Sequence, residues 1–229
     1  MKKDVVIIHY NTPELTEAAI RSINKTTEGC QVIIFDNSDT KPFVNKFDNV
    51  TYIDNTKGQI INFSEWLNGF PNKVNTNNDW ASAKHCYSVH WFVKMRKNPF
   101  VLMDSDVLLK QDITSLWDDR YAYIGEIHKN ERRLGEVHDR LYPYLCYVNV
   151  RMMKEHGVTF YNPERTYALT NKVPGTGYDT GAWFVEDCAA HNLPFKEIVL
   201  ADYIEHLKAG SWKRKDYQLW LRHNKDLWK

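Results

Sequence analysis

Asp104-Ser105-Asp106 is the part of this sequence best placed to do chemistry. A chain with seventeen Asp would hold about one such pair by chance, so the motif takes its meaning from its context. The apolar run Phe100-Val101-Leu102-Met103 precedes it directly and predicts a buried strand. Both carboxylates then leave the sheet at its carboxyl edge, where α/β folds place their ligands. Two acids this close repel unless a cation or a proton lies between them. Hard oxygen donors select Mg²⁺ or Mn²⁺. Such an ion bridges a diphosphate and offsets charge on a departing group. The competing reading is a solvated turn or a helix cap.

The elements that must position this pair are legible upstream. Val5-Val6-Ile7-Ile8 is a β-branched run suited to a strand covered on both faces. Thr12 offers an N-cap, Pro13 fits the first helical position, and Leu15, Ala19 and Ile23 follow at helical spacing up to Gly29. Val32 to Phe35 predicts a second strand, closed by Asp36-Asn37-Ser38-Asp39, and Val50 to Ile53 a third. This order implies an α/β fold with a Rossmann-like, mostly parallel central sheet flanked by helices. Residues 55 to 80 are rich in Asn and carry no clear period. Beyond them the pattern predicts a helix over Ala81–Lys97, a strand over Tyr144–Val150, a helix over Ala182–His191 and a late strand over Ile198–Ala201. There is no repeat and no linker. One domain is expected over 1–229, in two halves, 1–110 and 111–229.

Composition excludes several classes. Thirty basic residues against 29 acidic ones argue against a nucleic-acid partner. Eight Trp and thirteen Tyr mean either an aromatic core or a cleft that stacks bases and sugar rings. Cys30, Cys86, Cys146 and Cys188 are too scattered for a zinc site and suit a reducing compartment. No signal peptide opens the sequence, and no run nears the roughly 18 apolar residues that span a bilayer. A soluble, cytoplasmic protein is expected.

Four segments together resemble the GT-A glycosyltransferases of the family 2 type. They are Val6-Ile7-Ile8-His9-Tyr10-Asn11-Thr12, Ile33-Ile34-Phe35-Asp36-Asn37-Ser38, Phe100 to Leu108, and Glu205-His206 followed by Gly210-Ser211-Trp212. They run in the family's order across nearly the whole chain. The resemblance implies a metal-dependent transfer of sugar from a nucleotide diphosphate, UDP above all, to a hydroxyl of a glycan or lipid-linked acceptor, as in polysaccharide biosynthesis. It implies that Tyr10, Asn11 and Asp36, with Asn37 beside them, border the base and ribose. An exposed Asp36 would accept two hydrogen bonds there; the alternative is a turn former. Asp104, with Ser105, would meet the ribose or a metal-bound water, and Asp106 would ligate the metal. His206 is the candidate third ligand, since neutral imidazole suits Mn²⁺. Ser82 and Lys84 would meet phosphate or sugar at a helix start, or simply cap it.

The resemblance also implies inversion, with a carboxylate taking the acceptor's proton. Asp179, among Gly175, Gly177 and Gly181, has the expected distance to the end of the late helix. The literal Glu186-Asp187 pair is the other candidate. Trp183 and Phe184 follow Asp179 and suit an acceptor sugar. The tail, with Lys213-Arg214-Lys215, Arg222, Trp212, Tyr217, Trp220 and Trp228, reads as a helix packed on the domain or as a peripheral foot on an anionic inner membrane face. Rival readings are a retaining transferase, a nucleotidyltransferase, and a non-catalytic carbohydrate-binding protein. The loop His9-Tyr10-Asn11-Thr12 lacks the glycines a nucleotidyltransferase needs. Both acids of the pair are present, which disfavours a non-catalytic descendant.

Overall fold

A computed structural model describes residues 3–63, 77–133, 136–160, 180–181, 184–208 and 216–229. Its centre is a seven-stranded sheet in the order β10-β6-β9-β4-β1-β2-β3. The strands are β1 (Lys3–His9), β2 (Cys30–Asp36), β3 (Val50–Asp54), β4 (Phe100–Met103), β6 (Tyr123–Gly125), β9 (Leu145–Val148) and β10 (Phe195–Glu197). Strands β4, β1, β2 and β3 run parallel, with Val5 beside both Val32 and Val101. Strand β9 is antiparallel to its neighbours β4 and β6, and β10 is parallel to β6. The sheet is therefore mixed at the end built from the second half of the chain.

Alternation along the strands builds two cores. Val6, Ile8, Phe100 and Leu102 face α2 (Asn77–Met95) and α4 (Phe184–Ala190), meeting Val89, Phe92, Phe184 and Cys188. Val5, Ile7, Val101 and Met103 face α1 (Pro13–Thr26), meeting Ala19, Ile20 and Ile23. Helix α1 begins with Pro13 and Glu14 and ends with Lys25, charges that complement its dipole. Thr12 makes no side-chain cap; its hydroxyl lies 3.2 Å from Ser105 Oγ.

Two small ribbons flank the sheet. Strand β5 (Val107–Leu109) pairs antiparallel with β11 (Ile204–His206), and β7 (Ile127–Arg133) with β8 (Glu136–Leu141). Helices α3 (Val150–His156), α5 (Leu200–Tyr203), α6 (Tyr217–His223) and α7 (Lys225–Trp228) complete the described elements.

Three expectations are corrected. The late strand is Phe195–Glu197, and Leu200–Tyr203 is a helical turn, because Glu126 Oε2 takes the Leu200 N–H (2.6 Å) that a ladder would need. Strand β9 stops at Val148, where the Asn149 side chain accepts from Met152 N and starts α3. Helix α2 starts at Asn77, not Ala81, so Ser82 and Lys84 lie inside it. The Asn-rich stretch finds an organiser in Asn55, whose Oδ1 accepts from Ile60 N and Ile61 N.

Candidate active site

The D-x-D segment leaves β4 toward β5, and its two acids take different partners. Pairing of β5 with β11 sets His206 opposite Val107, and Leu207 N donates to Asp106 O (3.1 Å). Asp106 Oδ1 and His206 Nε2 then lie 3.5 Å apart, on side chains only 6% and 14% exposed. Two donors at ~2.1 Å from one six-coordinate ion stand about 3 Å apart, so the pair suits a divalent cation. Among the described residues no three His, Cys, Asp or Glu side chains form a ready-made ion cage. Mg²⁺-type sites fill such gaps with water and substrate phosphate.

Asp104 faces His85 instead. His85 Nε2 lies 3.3 Å from Asp104 Oδ1. Both atoms are buried, and neither has a hydrogen bond of good geometry. Burial pushes the Asp104 carboxyl up, but His85, His206 and Arg140 outweigh this and hold it below the usual carboxylate range. The other ring nitrogen of His85 lies 2.8 Å from Thr180 Oγ1. Arg140 Nε donates to Thr180 O (3.0 Å), so a buried cation fixes that residue's backbone. His85, Thr180 and Arg140 were not assigned roles from sequence. His85 adjoins Lys84, and Thr180 follows Asp179; nothing in the sequence marks Arg140 as buried.

The turn after β2 is arranged around Asp39. Its carboxylate accepts from Tyr10 OH (2.8 Å) and from Asn11 Nδ2 (2.6 Å). Those bonds, that of Asn11 first, hold its pKa down. Asn11 adopts φ +55 and clamps the turn, its Oδ1 accepting from Thr40 N and Lys41 N. Lys84 Nζ lies 5.0 Å from the Tyr10 ring centroid, and its burial lowers its pKa, with Asp39 opposing. The Tyr10 ring remains 38% exposed. Asp36 is not the exposed acid expected. It is fully buried, with Oδ1 accepting from Ser38 N and Oδ2 from Phe43 N and Tyr52 OH. Asn37 is also buried, bonded to Ser88 and Asn55. Ser105 Oγ lies against Thr12. The Ser82 side chain lies outside the described residues, and its place inside α2 removes the helix-start argument for Ser82 and Lys84.

Comparison with known proteins bears on the fold. No protein-family model and no curated protein matches the chain. Among solved structures, the galactosyltransferase LgtC in complex with donor and acceptor sugar analogs superposes at TM-score 0.52 and 11% identity, over 85% of this chain and 72% of that one. An active-site mutant of LgtC gives 0.51 and 13% over the same shares. The fold is that of the GT-A glycosyltransferases. The mannosyltransferase PcManGT from Pyrobaculum calidifontis, in complex with GDP-Man and Mn²⁺, gives 0.49 and 11% over 96% of this chain and 59% of that one.

The residues after the D-x-D segment are described in part. Asp179 and Trp183 lie outside the described residues. Glu186 accepts from Asp139 N (2.9 Å) and so ties α4 to β8. Phe184 is buried in the core, stacked on Phe160 with centroids 4.3 Å apart, and offers no face to an acceptor. Lys213, Arg214, Lys215 and Trp212 are likewise outside the described residues. The rest of the tail packs inward: Leu221, Trp220, Tyr217 and Trp228 join Leu15, Ala18 and Leu108. Among the described residues no helix is long and apolar enough to cross a membrane.

Proposed function

We propose that this chain is a glycosyltransferase that moves a sugar from a nucleotide diphosphate, UDP first among the candidates, to a hydroxyl of a glycan or lipid-linked acceptor. The observation that carries the reading is Asp106 beside His206 at the carboxyl edge of a GT-A sheet. A divalent ion, Mn²⁺ or Mg²⁺, held by these two side chains would offset the charge of the departing diphosphate. Asp104, kept anionic by its surroundings, is poised to accept from a ribose hydroxyl or a bound water. Tyr10 offers a ring face to the base, and Lys84 a cation to the phosphates. Asp179 is the proposed base of an inverting displacement. Glu186 Oε1 is bound to Asp139 N on β8, which favours Asp179 over Glu186. The remaining exposed cations of the tail, Arg222, Lys225 and Lys229, fit a cytoplasmic enzyme that touches an anionic membrane face.

A thermal-shift screen of nucleotide sugars with and without Mn²⁺ tests the reading. Stabilisation by a UDP-sugar that needs Mn²⁺ and is lost in Asp106→Ala is expected. Equal stabilisation of wild type and variant would sink it. Anomeric NMR of the product tests inversion; retained configuration removes the base role from Asp179.

A further inference from the structure

The ion site has a keystone that no sequence motif marks. Tyr144 precedes β9, and its carbonyl accepts from Asp104 N (3.1 Å). This continues the β4–β9 ladder one step past Met103 and Leu145 and fixes the backbone of the first acid. The ring of the same residue lies on His206, centroid to centroid 4.1 Å at 39°. One side chain and its own peptide therefore touch both halves of the site.

The ring is itself backed. Tyr142 stacks on Tyr144 at 4.9 Å and 22°, and His128 on Tyr142 at 5.3 Å and 27°. The Arg140 guanidinium lies 5.7 Å from the Tyr142 centroid. These layers leave Tyr144 little room to turn from His206. Pairing with β5 fixes the His206 backbone, but its ring still has two torsions to settle. A ligating histidine is normally oriented by a hydrogen bond from its second nitrogen. Among the described residues His206 makes no such bond, and a packed aromatic face takes its place.

We propose that Tyr144 is the positioning residue of the ion site, its ring setting the direction of His206 Nε2 toward Asp106 while its carbonyl holds Asp104. This rests on the reading of Asp106 and His206 as ion ligands. Removing the ring leaves His206 free to rotate and weakens the ion without removing a ligand.

The test measures Mn²⁺ affinity by the EPR signal of free Mn²⁺, with no sugar donor present. Tyr144→Leu is expected to weaken Mn²⁺ about 10–100-fold, as loss of an outer partner does. Tyr144→Phe keeps the ring and is expected to bind as wild type. In a His206→Ala background Tyr144→Leu should cost nothing further, an outcome that a general packing defect would not give. Should Tyr144→Leu fail to fold, Tyr142→Leu removes the backing ring instead. A severalfold loss of Mn²⁺ affinity there supports the proposal, and wild-type affinity overturns it. If wild type binds Mn²⁺ and Tyr144→Leu binds it equally, only the role of Tyr144 falls. If wild type takes up no Mn²⁺ even with UDP present, beyond what UDP binds alone, the ion-site reading falls and takes this proposal with it.

Discussion

Thr180 Oγ1 lies 2.8 Å from His85 Nδ1, and the opposite nitrogen of that ring faces Asp104 at 3.3 Å. The Thr180 hydroxyl and the Asp104 carboxylate thus face opposite edges of one imidazole ring. Thr180 is thereby linked through His85 to the first acid of the D-x-D pair. Thr180→Val keeps the shape and loses the hydroxyl. A fall in kcat of about 10–100-fold is expected, with stability reduced by about 1 kcal/mol. Steady-state kinetics beside a urea titration check it; an unchanged kcat would remove Thr180 from the mechanism.

Gly181 must be glycine for two independent reasons. Its φ is +85, and a Cβ there would meet Leu141 O at 2.0 Å. The same close approach lets Leu141 N donate to Gly181 O (3.2 Å), which docks the segment on the end of β8. Gly157 has a comparable φ of +68 but open space around it. Gly157→Ala should therefore cost only the backbone conformation, about 1–2 kcal/mol. Gly181→Ala adds a clash with backbone, and about 4 kcal/mol or more is expected. Matched denaturant curves decide it, and similar losses at the two sites would show that the clash is relieved by movement.

Asp36 and Asp39 stand three residues apart, and the structure gives them opposite surroundings, one buried and one at the surface. Asp36→Asn would set an amide N–H₂ against donors already aimed at the carboxylate. A loss of about 2–3 kcal/mol is expected, or roughly 5–10 °C in Tm. Asp39→Ala frees an exposed Tyr10 and Asn11 and should leave stability within about 1 kcal/mol. Its effect should appear as weaker binding of the nucleotide. Calorimetry of both variants with UDP-sugar titrations checks the pair; a stable Asp36→Asn that binds poorly would reverse the assignment.

Much of the fold was legible because its strands are β-branched runs that a doubly covered sheet requires. Val5 to Ile8, Val32 to Phe35 and Phe100 to Met103 all fall inside observed strands. Short strands held by pairing were not: Ile204–His206 has little apolar period of its own and exists through β5. The late strand misled in another way, since Ile198 to Ala201 is apolar enough for a strand while Glu126 turns Leu200 into a helix start. At the site, Asp106 and His206 were readable as residue types, and the structure brings them within 3.5 Å of each other. Asp36 was not, because a strand-end Asp looks alike whether solvent or Tyr52 and Phe43 surround it. Thr180, Arg140 and Tyr144 act through contacts made across 40 residues or more of chain, which leave no local pattern.

His90 supplies a pH dependence that is separate from the site. It is buried on α2 at 8% exposure, and burial, aided by Lys94, brings its pKa from 6.5 to about 4. His9 is shifted the same way by burial. In the unfolded chain His90 takes up its proton near pH 6.5, while the folded chain resists until about pH 4. The unfolded state therefore binds more protons across that window, and stability falls as pH falls through it. The contribution is complete above pH 6.5 and gone below the folded value. A shift from 6.5 to about 4 corresponds to about 3 kcal/mol, the upper bound of the loss for this residue. Between pH 7 and pH 4.5 the wild type should lose roughly 5–10 °C in Tm. His90→Gln cannot titrate, so its Tm should fall less over the same interval, whatever its stability at pH 7. Melting both proteins at four or five pH values checks this, and parallel curves would show that other groups carry the acid sensitivity.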